Sequence, residues 1–350
     1  MELALDVGEA PSILVVRRDN IGDLVCTTPL IVALRRRFPK SWIGVFANSY
    51  NAPILDGHPD LNEIIVYRKA KHSRDSSRIQ LHVERFWILL NLRRRHLDWI
   101  LLTKREDRPV ARLIGAKCIA GFYKTARDKA GLDYAVPIAA TRDVHHVEAL
   151  YQLGGAFGIN GKPPNLRISI NSAERHRVDQ ALAPTPLATA RHVVGIHIGA
   201  RRISQRWPKE RFVELIRRLY ESGGVAFMLF WTPGSFDQPQ HPGDDIAAQD
   251  MLAWLEDIPV LPWRSPHLTA LVAGISSCSS MICSDGGAMH IAAALGKPIV
   301  AFFGDSDPSH WRPWGVPFRI LQPATKNVGD LTVADAVAAW HSLARPRPCL

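Results

Sequence analysis

Three short segments of this 350-residue chain carry residue types that could do chemistry. The first, Arg18-Asp19-Asn20-Ile21-Gly22-Asp23, places an acid at the mouth of a predicted helix. Asp23 there reads either as the helix N-cap or as a general base that takes a proton from a hydroxyl. The second segment runs from His197 to Pro208. In it Gly199 and Ala200 open the backbone ahead of Arg201, Arg202 and Arg206, whose forked donors match phosphate oxygens, although an arginine-rich loop can equally be a solvated one. The third is Ser284-Asp285-Gly286-Gly287-Ala288-Met289-His290, a glycine pair opening an alanine-rich helix. Backbone N–H groups and the helix dipole favour a diphosphate at such a point. Asp285 as a plain cap and His290 as a packed histidine are the competing readings.

All three segments lie where a strand is expected to run out, and in doubly wound sheets ligands bind at that edge. Residues 13–16 form an apolar run of the kind buried on both faces of a parallel sheet. A helix is predicted over 24–38, with Arg35-Arg36-Arg37 suiting its C-terminus and Pro39 stopping it. Further strands are expected at 42–47, 63–67 and 99–102. Asn160-Gly161-Lys162-Pro163-Pro164 and Pro184-Thr185-Pro186 break the pattern, with a helix over 172–182 between them. Alternation then restarts with strands at 193–198, 225–231, 281–284 and 299–303, and helices at 209–221, 247–256 and 288–295. The expected organisation is one Rossmann-like domain over 1–165, a linker over 166–190, a second Rossmann-like domain over 191–328, and a helix and tail over 329–350.

The chain carries 43 Lys and Arg against 33 Asp and Glu, a net charge of +10 that favours acidic partners. A basic stretch around Arg68 and Lys71, and again at Arg93 to His96, flanks an amphipathic segment over 81–92, a candidate for an anionic acceptor or a membrane surface. Tryptophans are not interleaved with basic residues as single-strand binding requires, so nucleic acid is not the expected partner. The five cysteines form no CxxC pair, and no HExxH or Cys-His cluster is present, so reduced thiols and no metal site are expected. His145-His146 reads as a helix start. Neither a GxGxxG nor a GxxxxGK[ST] motif occurs, which argues against NAD and P-loop chemistry. No secretory signal and no spanning segment of about 18 apolar residues is found, so a cytoplasmic location is expected.

Residues 13–29, 195–212 and 281–315 together resemble glycosyltransferase family 9, the ADP-heptose:lipopolysaccharide heptosyltransferases. The opening Arg17 to Pro29, with Gly22-Asp23 and Thr28-Pro29, is similar to the family's first motif. Ser284 to Ala294, followed by Gly296-Lys297-Pro298 and Phe303 to Pro308, is similar to its donor-site signature. The resemblance implies an α/β GT-B fold, two Rossmann-like domains whose parallel sheets face a central cleft. It implies metal-independent inverting transfer without a cofactor, from a nucleotide-sugar donor to an acidic glycolipid acceptor, with possible peripheral contact to an anionic membrane. Asp23 would be the base. Asn20, Gly22, Thr28, Arg68 and Lys71 would meet the acceptor. Gly199, Ala200, Arg201, Arg206, Asp285, Gly286, Gly287 and His290 would hold the donor, with Asp237 at its ribose. Two departures stand out. Gln205 occupies the place of the usual Lys, moving the expected cation onto Arg206, Arg201 or Arg202, and Gly286-Gly287 replaces a Ser-Gly or Thr-Gly pair. They leave room for another nucleotide sugar, or for a binding protein without turnover.

Overall fold

The computed structural model describes residues 7–68, 78–237 and 242–344. The chain divides after Ser169 into two compact units, each with its own parallel sheet.

In the first unit β1 (Ile13–Val16), β2 (Ile43–Asn48), β3 (Glu63–Tyr67), β4 (Leu97–Leu102), β5 (Ala116–Tyr123) and β6 (Tyr134–Pro137) lie in the order β3-β2-β1-β4-β5-β6. Helices α1 (Ile21–Arg37), α2 (Arg78–Arg93), α3 (Arg108–Ile114), α4 (Ala126–Lys129) and α5 (His146–Tyr151) join or follow them. Strand β1 is fully buried because it lies at the centre, with Val16 level with Phe46 on one side and Leu102 on the other. That explains its uninterrupted apolar run. The strand order reverses between β1 and β4, and at such a switch point the carboxyl ends of the strands leave a crevice.

The second unit repeats the plan. Its strands are β7 (His192–His197), β8 (Val225–Trp231), β9 (Val260–Arg264), β10 (Ser280–Ser284), β11 (Ile299–Phe302) and β12 (Phe318–Leu321), in the order β12-β11-β10-β7-β8-β9. Around them are α6 (Ser172–Leu182), α7 (Lys209–Glu221), α8 (Asp245–Trp254), α9 (Leu268–Ser276), α10 (Gly287–Ala294), α11 (Pro308–Trp311) and α12 (Val333–Ala344). The segment read as a linker contains α6, which packs against α9 and is tied to it by Arg175 Nη1 donating to Ser276 Oγ at 3.1 Å. Helix α12 packs on α7 and β12, burying Val333, Ala336, Ala339 and Trp340 in the core of this unit. The rings of Trp207, Phe212 and Phe302 meet in the same core, with Trp207 4.9 Å from each of the others.

Strands β5, β6, β9 and β12 and helix α9 escaped the sequence reading. Strands β6, β9 and β12 are sheet edges, and β9 carries Pro262, which is tolerated where one side of the strand has no ladder to donate to. Short edge strands broken by Arg or Pro do not show the apolar run that marks a central strand.

Gly195, in the middle of β7, tests this packing. A Cβ there would lie 2.2 Å from Met281 Sδ and 2.9 Å from Cys278 Sγ. Gly195→Ala is therefore expected to destabilise the protein by about 1–3 kcal/mol, through overpacking, as a lower urea midpoint. An unchanged midpoint would mean that β10 and the end of α9 do not press on β7 as described.

Candidate active site

The chain leaves β1 directly into a charged cluster. Arg17 is 1% exposed, and its guanidinium is surrounded by acids from its own loop and from α1. Its Nε lies 2.8 Å from Asp19 Oδ1, and its Nη2 donates to Asp23 Oδ1. Lys104, in the loop after β4, reaches Asp19 Oδ2 at 3.2 Å, and Arg18 pairs with the buried Asp107. The N-cap of α1 is Asn20, in extended conformation, so Asp23 is the third helical residue and not the cap. Its second oxygen accepts from Asn20 Nδ2 at 2.8 Å.

Helix α5 packs on α1 and delivers a further partner from the His145-His146 pair at its start. His145 is that start: its Nδ1 accepts from Val147 N at 3.1 Å, and its own N–H donates to Glu148 at 3.0 Å. His146 turns the other way. Its Nε2 lies 3.5 Å from Asp23 Oδ1 and 3.0 Å from Arg17 Nη2. Burial alone would raise the Asp23 pKa, but the hydrogen bond from His146 and the charge of Arg17 outweigh it and hold the carboxyl well below the usual range. Asp19 moves the opposite way, raised by burial and by the charge of Asp23 against the pull of Arg17. The cluster thus holds one firmly ionised carboxylate at the carboxyl end of the central strand.

The other residues expected at the acceptor differ in burial and partners. Gly22 is buried within α1. Thr28 is fully buried, and its hydroxyl donates to Val25 O at 2.7 Å. That carbonyl would otherwise bond the N–H four residues on, which Pro29 lacks. The Thr28 hydroxyl oxygen in turn accepts from Arg167 N at 3.0 Å. Thr28-Pro29 therefore acts as a structural repair inside the helix, with the Thr28 hydroxyl engaged by the chain's own backbone. Arg68 is exposed, 3.7 Å from Glu84, and Lys71 lies outside the described residues.

In the second unit the expected donor residues gather at the carboxyl ends of β7, β8 and β10. Gly199 is required by close approach, since a Cβ would lie 2.6 Å from Asp244 Oδ2 and 2.9 Å from Thr232 Oγ1. Ala200 follows it, and Arg201 and Arg202 are exposed, Arg202 pairing with Asp305 at 3.0 Å. Arg206 lies over the Phe236 ring, 5.2 Å from its centroid, and pairs with the buried Asp244. Gln205 is buried and donates to Asp285 Oδ2 and Ser306 Oγ, each at 3.3 Å. Its carbonyl accepts from Ser284 Oγ at 2.6 Å, binding the β7 loop to the end of β10.

Gly286, not Asp285, is the N-cap of α10, and a Cβ on it would meet nothing within 4 Å. Gly287 opens the helix, and His290 is 3% exposed with its ring 6.1 Å from that of Trp311. Asp237 is exposed, and its carboxylate faces Ser235 Oγ at 3.5 Å. The acid that organises this loop is Asp244, which no local sequence motif marks. A cavity of about 300 Å³ beside it is lined by Ile198, Arg206, Trp207, Phe236 and Ala247 among others.

The depressed Asp23 pKa has a consequence for stability. A carboxylate whose pKa is lowered on folding stabilises the native state above its unfolded pKa, and the contribution is lost as pH falls through the folded value. Asp23→Asn is therefore expected to cost on the order of 2–3 kcal/mol at pH 7, and the gap to the native protein should narrow steadily below about pH 4. Denaturant curves across that range measure it, and a pH-independent gap would contradict the ion pair.

The family model for glycosyltransferase family 9 (heptosyltransferase) matches residues 109–339. Lipopolysaccharide heptosyltransferase 2 of Salmonella typhimurium is 24% identical over 327 residues, covering 89% of this chain and 88% of its own length. Among solved structures, a family 9 glycosyl transferase from Veillonella parvula superposes with a TM-score of 0.81 at 18% identity, over 97% of this chain and 98% of its own. An Escherichia coli heptosyltransferase with ADP does so at 0.76 and 16%, over 95% of this chain and 100% of its own. Two Rossmann-like units of matching topology are the GT-B architecture, and with about two thirds of its length matched by the family model the chain belongs to glycosyltransferase family 9.

Proposed function

We propose that this glycosyltransferase moves heptose from ADP-heptose to a lipopolysaccharide inner core or a related acidic glycolipid, with inversion and without a metal ion. The observation that carries the reading is Asp23, an ionised carboxylate clamped by Arg17, Asn20 and His146 at the end of the central strand. The relative named a lipopolysaccharide heptosyltransferase and the neighbour with ADP support the choice of acceptor and nucleotide. In this reading the first unit receives the acceptor and the second the donor, on the cytoplasmic side where nucleotide sugars are made.

The acceptor hydroxyl would attack the anomeric carbon as the bond from that carbon to the diphosphate oxygen breaks, the electron pair leaving with ADP. A carboxylate with so low a pKa is a weak base, so its proton would arrive late, once the new C–O bond has made the hydroxyl acidic. Developing charge on the diphosphate would be met by the exposed Arg201 and by N–H groups at the start of α10, where the open space over Gly286 admits a phosphate oxygen to the backbone. Arg202 and Arg206 would join by sharing their bonds to Asp305 and Asp244. The apolar cavity beside Arg206 suits a nucleobase.

One observation favours a second reading. At the position of the usual Lys, the neutral Gln205 is buried against Asp285 and Ser306, which lowers the positive charge offered to a diphosphate and fits a different nucleotide sugar. Thermal stabilisation by a panel of nucleotide sugars, read beside turnover, separates the two.

Asp23→Ala should lower transfer by about 10²- to 10⁴-fold while leaving stabilisation by ADP unchanged. Full retained turnover would remove Asp23 as the base.

A further inference from the structure

Helix α2 has two apolar faces, and one of them is exposed among the described residues. Leu81 and Leu92 are buried, and Ile88 and Leu89 pack on the core of the first unit. On the other side Ile79 is 75% exposed, Val83 49%, Phe86 60% and Trp87 51%. Their spacing puts them in one stripe along the helix. The exposed Leu113 of α3 extends it, held beside α2 by Arg93 Nη1 donating to Leu113 O at 3.1 Å. Isolated exposed apolar residues are ordinary, whereas a contiguous stripe of large ones marks a surface with a partner.

The charges around the stripe select the partner. Within α2 the one carboxylate is Glu84, half-buried and facing Arg68. Arg68 precedes the helix, and Arg93, Arg94 and Arg112 are exposed at its far end, where Arg95 is engaged with Glu63 at 2.6 Å. Aromatic and aliphatic side chains framed by arginine, with Glu84 of α2 already facing Arg68, match the interfacial region of an anionic bilayer. A second copy of the chain fits poorly, since both ends of the stripe are basic and either orientation would set arginine against arginine.

The sheet topology places the stripe usefully. Strand β3 ends level with the carboxyl end of β2, beside β1, and α2 returns from that edge, so Ile79 and Val83 lie toward the edge that carries Asp23. We infer that the exposed face of α2 docks this protein on a membrane containing anionic phospholipid. The docking stands on this surface alone, and it would bring a lipid-borne acceptor within range of the proposed base.

Flotation of the full chain with vesicles tests it, using phosphatidylcholine with and without phosphatidylglycerol, and comparing the native protein with the Phe86→Glu/Trp87→Glu variant. Native protein should float with the anionic vesicles, less so at high salt, and the variant should bind about tenfold more weakly or worse. Its melting temperature and its turnover on a short water-soluble acceptor should stay at the native level. Native protein that ignores anionic vesicles, a variant that binds them equally well, or a variant that instead converts a native dimer to monomer would each overturn the inference. Should ADP-heptose prove not to be the donor, turnover fails for both proteins while the flotation result stands.

Discussion

A guanidinium that is 1% exposed has to be neutralised where it lies, and in this protein that necessity organises the first unit. Arg17 leaves the most buried strand of the sheet, where no water can solvate it. The acids that answer it, Asp19 and Asp23, come from the next loop and the first turn of α1, so the path of the chain out of β1 is set by charge as much as by packing. Asn20 is drawn in to hold the second oxygen of Asp23, and α5 docks on α1 with His146 against the same group. The carboxylate that results is ionised because of its partners, and it stands at the sheet edge where ligands of such folds bind.

The second unit solves a similar problem with different means. Its loops are joined by a relay in which Ser284 binds the Gln205 carbonyl and the Gln205 amide reaches Asp285 and Ser306. Arg206 and Arg202 are committed to Asp244 and Asp305. Glycine recurs where side chains press on the main chain, as Asp244 does at Gly199, and where space is left open, as at Gly286.

The sequence was most legible where one local pattern carried the outcome. The apolar runs of β1 and β10 announced central strands, and the Gly-Asp and Asp-Gly-Gly segments fell at their ends. Thr28-Pro29 is conspicuous in the sequence, and its pairing serves a carbonyl inside α1. His146 could not be read at all from its neighbourhood, since it meets Asp23 across 123 residues of chain, through the packing of α5 on α1. Asp244 was hidden in the same way: its importance lies in Arg206 and Gly199, which belong to another loop. Arg17 did carry a signal, a cation at the end of a strand buried on both faces with acids two and six places on.

The position of His146 sets a proton inventory for the cluster. Its Nε2 lies within reach of a permanent donor, Arg17, and of a permanent acceptor, Asp23, yet one ring nitrogen either carries a hydrogen or offers a lone pair. With the lone pair it accepts from Arg17 and leaves Asp23 to the guanidinium and to Asn20. With the hydrogen it serves Asp23 and gives up the contact to Arg17. Movement of a single hydrogen on one ring therefore re-assigns the donors around the carboxylate without any change in the fold.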